Sequence, residues 1–128
     1  MGRVLARVPL PERQVVGGQR EWWSFGFLLD VILTRDTWMH RVDVCRATGR
    51  APELTAEHDG VVVADVVAEW AERHGRPYRL RLTGPAGGRW ECGEAAAAEE
   101  LELDAVDFCR LLSGRGGGSG LLAQQVPF

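Results

Sequence analysis

The chain has 128 residues, room for one ordinary domain or for a small domain joined to a piece of another. At 45% hydrophobic and 26% charged residues it is globular rather than disordered, and no run nears the roughly 18 uninterrupted apolar residues of a membrane-crossing helix. Its net charge is −3, with eight arginines against five acids in residues 1–50 and seven against thirteen in 51–128, which leaves no basic footprint for nucleic acid.

All fifteen basic residues are arginine, and lysine and asparagine, whose codons are AT-rich, are absent, so the composition points to a GC-rich bacterial genome. The stretch up to Pro11 lacks the apolar core and small-residue cleavage site of a signal peptide, which predicts a cytoplasmic location. Cys45, Cys92 and Cys109 have no Cys-x-x-Cys spacing and read as reduced, mostly buried thiols rather than a zinc finger.

Residues 1–21 are expected to be irregular, with a short helix possible at Arg3–Val8, since Pro9 and Pro11 break helices and Gly17-Gly18 marks a loop. From Trp22 to about Ala47 no proline intervenes and Trp23, Phe27, Leu28, Val31, Ile32, Trp38, Met39 and Val42 recur densely. This predicts one long helix of about 25 residues, ~37 Å at 1.5 Å per residue, with Gly49 as its C-terminal cap. Such a length suits a member of a helical bundle.

After a linker at 50–54, Thr55 is a candidate N-cap for a helix running to His74, although Asp59-Gly60 could delay its start. Val63, Val66, Val67 and Trp70 form its core-facing stripe. Tyr78–Leu82 alternates as a half-buried strand does, Thr83–Gly88 turns, and Arg89–Cys92 pairs back. A third strand fits Glu100–Leu103, and Asp104 caps a helix through Leu112. Arg115–Gly120 reads as a flexible linker and Leu121–Phe128 as an apolar tail docking on the core. The expected architecture is α+β: residues 1–49 hold a lead-in and a long helix, and 50–128 form a small domain with two helices on one face of a three- or four-stranded sheet.

Asp36 and His40 lie four apart on the long helix, so their side chains share a face, and Asp43 falls there too. An imidazole and a carboxylate suit zinc or a similar divalent ion. By spacing alone the pair fits better a carboxylate–imidazole contact that supports the helix by a few tenths of a kcal/mol. A catalytic zinc needs three protein ligands, so at least one more must come from elsewhere.

The surrounding residues alter that balance. Asp30-Val-Ile-Leu-Thr-Arg-Asp-Thr-Trp-Met-His-Arg-Val-Asp-Val-Cys-Arg-Ala-Thr-Gly-Arg50 resembles the last bundle helix of the mycothiol-dependent maleylpyruvate isomerase family. The likeness continues through Leu54–Gly60, Val66–Trp70, Leu82–Gly88, Leu103–Cys109, Leu112–Arg115 and Val126–Phe128, covering about residues 22–128. It implies the last helix of a DinB-like four-helix bundle followed by a sterol-carrier-like α+β domain. Asp36 and His40 would be ligands of a divalent metal, by expectation zinc, with a further histidine from an earlier helix. Asp36 stands where the family has a glutamate, one methylene longer.

The resemblance further implies that the cofactor is mycothiol, a small thiol activated as its thiolate, and that the substrate is an anionic small molecule held by an arginine. Arg115 is the best positional match, with Arg110 behind it. The chain begins about where the third bundle helix should end, so the resemblance implies an incomplete site, weak zinc binding and no turnover in the chain alone. His58 and His74 read as helix-terminal histidines rather than substitutes. Apolar surface left by the missing helices would be exposed, Trp22, Trp23 and Trp38 reading as bundle packing, and could bring copies of the chain together. The alternative is a non-catalytic module of sterol-carrier-like fold that binds a small ligand or a partner.

Overall fold

The computed structural model describes residues 7–128, and the short helix expected at Arg3–Val8 lies largely outside them. The chain divides into two units, Met1–Pro52 with Pro127–Phe128, and Glu53–Val126. The class is α+β, a long helix preceding a small sheet region.

The first unit departs from the irregular lead-in expected of it. Strands β1 (Gln14–Val16) and β2 (Gln19–Glu21) pair antiparallel around Gly17-Gly18. Both glycines have positive φ, 57° and 80°, as a two-residue type I′ hairpin requires. Pairing continues outward as Leu10 N–H donates to Trp23 C=O at 2.7 Å and Phe25 N–H to Val8 C=O at 2.8 Å.

That pairing keeps Trp22 and Trp23 out of the helix expected to begin with them. Ser24 caps it instead, its hydroxyl accepting from Phe27 N–H at 3.1 Å. The helix opens as a π-helical segment, Phe27–Ile32, and continues as α1 (Leu33–Ala47). It ends where Gly49 was expected to cap it, with Arg50 N–H bonded to Cys45 C=O at 2.8 Å, the 6→1 bond of a Schellman motif. Ile32, Arg35, Trp38, Met39 and Val42 are buried. The arginine among them donates from Nη1 to Pro127 C=O at 2.9 Å, and its guanidinium lies 5.9 Å from the centroid of the Phe128 ring. Trp23 is half-buried edge-on against Phe27, while Trp22 is exposed.

In the second unit, Thr55 and Asp59 brace the turn that precedes the next helix. Thr55 Oγ1 accepts from His58 N–H at 3.2 Å and Asp59 Oδ2 from Thr55 N–H at 2.6 Å. Helix α2 then runs Asp59–His74. Strand β3 (Tyr78–Thr83) is central, antiparallel to β4 (Gly88–Cys92) and parallel to β5 (Glu99–Asp104). Asp104 Oδ2 accepts from Val106 N–H at 2.8 Å and starts α3 (Ala105–Leu112).

Strand alternation sorts the two faces of the sheet. Tyr78, Leu80 and Leu82 are buried with Val63, Val66, Val67 and Trp70 of α2 and Ala105, Phe108, Cys109 and Leu112 of α3. Trp70 joins these layers, edge-on to Tyr78 at 4.9 Å and to Phe108 at 5.4 Å, and its indole N–H donates to Leu121 C=O at 2.9 Å. The other face carries two charged rows across the strands, Glu91–Arg79–Glu100 and Arg89–Arg81–Glu102. Cys109 is buried and Cys45 half-buried, but Cys92, expected inside, ends β4 exposed.

The glycine-rich segment after α3 is packed rather than a free linker. A β-carbon at Gly118 would collide with the Leu122 carbonyl, and one at Gly120 with the Glu99 carboxylate. Glu99 Oε2 accepts from Leu121 N–H at 3.2 Å, so Leu121 is held from both sides.

His74 closes α2 against this core, 4.3 Å from Trp70 and 5.4 Å from Tyr78 between ring centroids. Its Nδ1 accepts from Arg76 N–H at 2.9 Å, which requires the neutral ring. Burial, and then the nearby Arg76 charge, hold its pKa below the ordinary 6.5, with Glu99 pulling the other way. The unfolded chain therefore takes up a proton that the folded chain resists. This contribution to stability is complete above about pH 6.5 and is lost as pH falls through the lower folded value. Thermal melts by circular dichroism between about pH 7.5 and pH 5 should show a drop in Tm that His74→Gln reduces; an identical drop in the variant would rule His74 out as its source.

Candidate metal centre on the long helix

Asp36 and His40 stand on successive turns of α1, on the side away from buried Arg35, Trp38, Met39 and Val42. His40 Nε2 lies 3.4 Å from Asp36 Oδ1, with the two side chains 66% and 48% exposed. That separation is within the range of a helix i, i+4 carboxylate–imidazole contact. It matches the edge of a tetrahedron around zinc, ~3.3 Å for bonds of about 2.0–2.1 Å. The donor types and their spacing thus fit two neighbouring positions on one ion.

Leu33 lies three residues before Asp36 and Val44 four after His40, which puts all four in one stripe at helical spacing. Leu33 and Val44 are exposed, as is Leu29 a turn earlier. Asp43 is half-buried at the edge of the stripe. Among the described residues, no group of three histidine, cysteine, aspartate or glutamate side chains could hold a metal.

The other candidates belong to the second unit. His58 is exposed just before α2, and His74 is packed against Trp70 and Tyr78. Arg115 is half-buried; its N–H closes on Arg110 C=O at 2.8 Å and its Nη1 donates to Ser113 Oγ at 3.1 Å. The end of α3 therefore holds the guanidinium by its own backbone and by a neighbouring hydroxyl, an oriented donor of the kind that binds carboxylates.

A shallow depression of about 850 Å³ lies on the charged face of the sheet, lined in part by Arg79, Arg81, Arg89, Glu91, Glu100 and Glu102. Arg79 pairs with Glu91 at 2.9 Å and Arg81 with Glu102 at 3.4 Å, all four exposed side chains. Small-molecule pockets are mostly apolar and enclosed, whereas this depression is open and mixes these charges with Trp90 and Leu101.

The chain is similar to two mycobacterial proteins. It is 31% identical over 87 residues to "Uncharacterized protein MT0041" of Mycobacterium tuberculosis (strain CDC 1551 / Oshkosh) and to "Uncharacterized protein Rv0036c" of strain ATCC 25618 / H37Rv. Each match takes in 62% of this chain and 34% of the relative, so the chain spans about a third of the length of the curated relatives it matches. No family model matches the chain. No solved structure matches it either. Among the described residues, no helix is long and apolar enough to cross a membrane.

Sequence reading passed over Arg35, a charged residue set at the i, i+4 and i+7 spacing of buried Met39 and Val42. It also passed over the apolar residues on the Asp36 side. The signal was in the helical period, since a helix with apolar residues on both sides exceeds what one core needs.

Proposed function

We propose that Asp36 and His40 are two ligands of a divalent metal, by preference zinc, in a helical bundle whose other ligands lie outside this helix. The single observation that carries this reading is the placement of an imidazole and a carboxylate, both zinc-ligand types, 3.4 Å apart on an exposed face. The exposed apolar residues before and after them support a face that another helix covers. The match takes in 34% of the relative, which is consistent with further helices elsewhere in such proteins.

On the resemblance described above, the chain is the last bundle helix and the sterol-carrier-like domain of a mycothiol-dependent isomerase or thiol-transferase. A divalent ion bound there supplies Lewis acidity that makes a coordinated thiol a thiolate at neutral pH. His40 and Asp36 hold their share of the ion from one helix face. Arg115 is assigned to bind the carboxylate of an anionic substrate, bidentately as a guanidinium can. With two ligands the chain alone is expected to be inactive.

Zinc titration calorimetry on the purified chain tests the ligand assignment. His40→Ala should weaken zinc binding by at least about a hundredfold, since even outer-shell changes cost 10- to 100-fold, while His58→Ala leaves it unchanged. Equal affinity in wild type and His40→Ala would sink the reading and leave the helix-supporting pair. A second reading, a non-catalytic binding module, is favoured by the self-contained core of residues 53–126. It predicts that removing both Asp36 and His40 leaves every binding property of the chain intact.

A further inference from the structure

We propose that a second copy of this chain pairs antiparallel along the free edge of β4, with Arg89 of each copy opposite Glu91 of the other. Two three-stranded sheets then join into one of six strands. The surface uses none of the proposed metal ligands.

β4 ends the sheet on one side, with no described strand beyond it. Such an edge presents a row of backbone donors and acceptors to another chain, and proline or bulges commonly blunt it. Neither is present: Gly88–Cys92 contains no proline and pairs residue for residue with Tyr78–Leu82. Gly93, at φ 80°, then turns the chain against Pro77, where a β-carbon would come within 2.7 Å of the proline ring. The segment after β4 therefore heads for the start of β3 and leaves the edge open.

Charge decides what this edge accepts. A two-fold axis through Trp90 sets Arg89 against Glu91 twice, and Gly88 against Cys92. Moving the axis to Arg89 or Glu91 would oppose that residue to its own copy, like charge to like, which is destabilising. Half-steps between these would oppose inward to outward side chains. The free edge of β5 cannot do the same, because its outward residues, Glu100 and Glu102, set acid against acid in any such pairing.

The pairing also supplies what Arg89 lacks in its own sheet. Its neighbour on β3 is Arg81, which pairs with Glu102. Glu91 uses Oε2 for Arg79 and is 71% exposed, so its other oxygen can accept from a second arginine. Across the join the outer row reads Glu100, Arg79 and Glu91, then Arg89, Arg81 and Glu102 of the second copy. On the opposite face Trp90 is half-buried, its ring reaching Gly88. There it meets Trp90 of the second copy as an aromatic cross-strand pair.

Sedimentation equilibrium on the whole chain, in EDTA to exclude metal-linked association, tests this. Five residues a side fall below the about 800 Å² per partner of a standard interface. The dimer should therefore be weak, half-associated at about 10–100 µM, against micromolar or tighter binding for full-sized interfaces. Arg89→Glu and Glu91→Arg each turn two attractive pairs into repulsive ones, and each should weaken association at least about tenfold. Arg89→Glu places an acid beside Arg81, which favours folding, and circular dichroism checks both variants. An equimolar mixture of the two variants restores both pairs and should dimerise at least as tightly as wild type. Wild type still monomeric at about 1 mM, or a mixture that stays monomeric, overturns the pairing. So does a dimer that Arg89→Glu leaves undiminished, since its contact lies on another surface. His40→Ala should dimerise as wild type does, so failure of the metal reading leaves this proposal standing.

Discussion

Trp70→Ala is expected to destabilise the second unit by about 4–5 kcal/mol, the upper range for truncating a buried tryptophan. The side chain is fully buried and meets His74, Tyr78 and Phe108 edge-on, so its removal opens a cavity where α2, α3 and β3 meet. It also withdraws the indole N–H from Leu121 C=O, and a buried carbonyl left without its donor costs about 1–3 kcal/mol. Trp70→Phe separates the two effects by keeping an aromatic ring while losing the donor, and about 2 kcal/mol is expected for it. Urea unfolding followed by far-UV circular dichroism measures both. If Trp70→Phe is as stable as wild type, the bond to Leu121 contributes nothing net.

Arg35→Ala should cost about 3 kcal/mol, although arginine on a helix is ordinarily a surface residue. A hydrogen bond from a charged donor is worth about 1.5–3 kcal/mol, and a desolvated cation–π contact about 2. Arg35 has both, to Pro127 C=O and to the Phe128 ring. Arg35→Met fills much of the same space without donating and should lose about 1–2 kcal/mol, and Phe128→Ala should remove part of the same energy. In the double variant Arg35→Ala/Phe128→Ala, a total smaller than the sum of the singles marks their coupling. Additive losses would show that the Phe128 ring contributes nothing through the arginine.

The elements most legible in the sequence were those in which local chemistry and burial agree. Val63, Val66, Val67 and Trp70 repeat at the helical period and are all buried, and Tyr78, Leu80 and Leu82 alternate and are all buried. Asp104 caps a helix where the sequence placed a cap, whereas the helix expected to follow Thr55 begins only at Asp59, the delay that Asp59-Gly60 allowed. The hairpin of residues 14–21 escapes the sequence because a glycine pair is a hairpin only if its flanks can pair. Gln14–Val16 and Gln19–Glu21 carry too little apolar alternation to announce that they do. The hairpin in turn delayed the helix, since Trp23 C=O is taken by Leu10 N–H.

At the candidate site, residue types and helical period are enough to put Asp36 and His40 on one face, because side chains four apart on a helix are always neighbours. The separation of their donor atoms is a different matter, as each side chain has rotamers that spacing leaves open. In the folded chain it is 3.4 Å on an exposed surface. Folding likewise turned Leu33 and Val44 outward and Arg35 inward, a choice that the residues themselves do not make, because arginine can be solvated or, when paired, enclosed. Local rules therefore supplied the two candidate ligands and the helix that carries them. Which side of that helix is buried, and hence that the pair faces outward between apolar neighbours, depended on long-range packing of the whole chain.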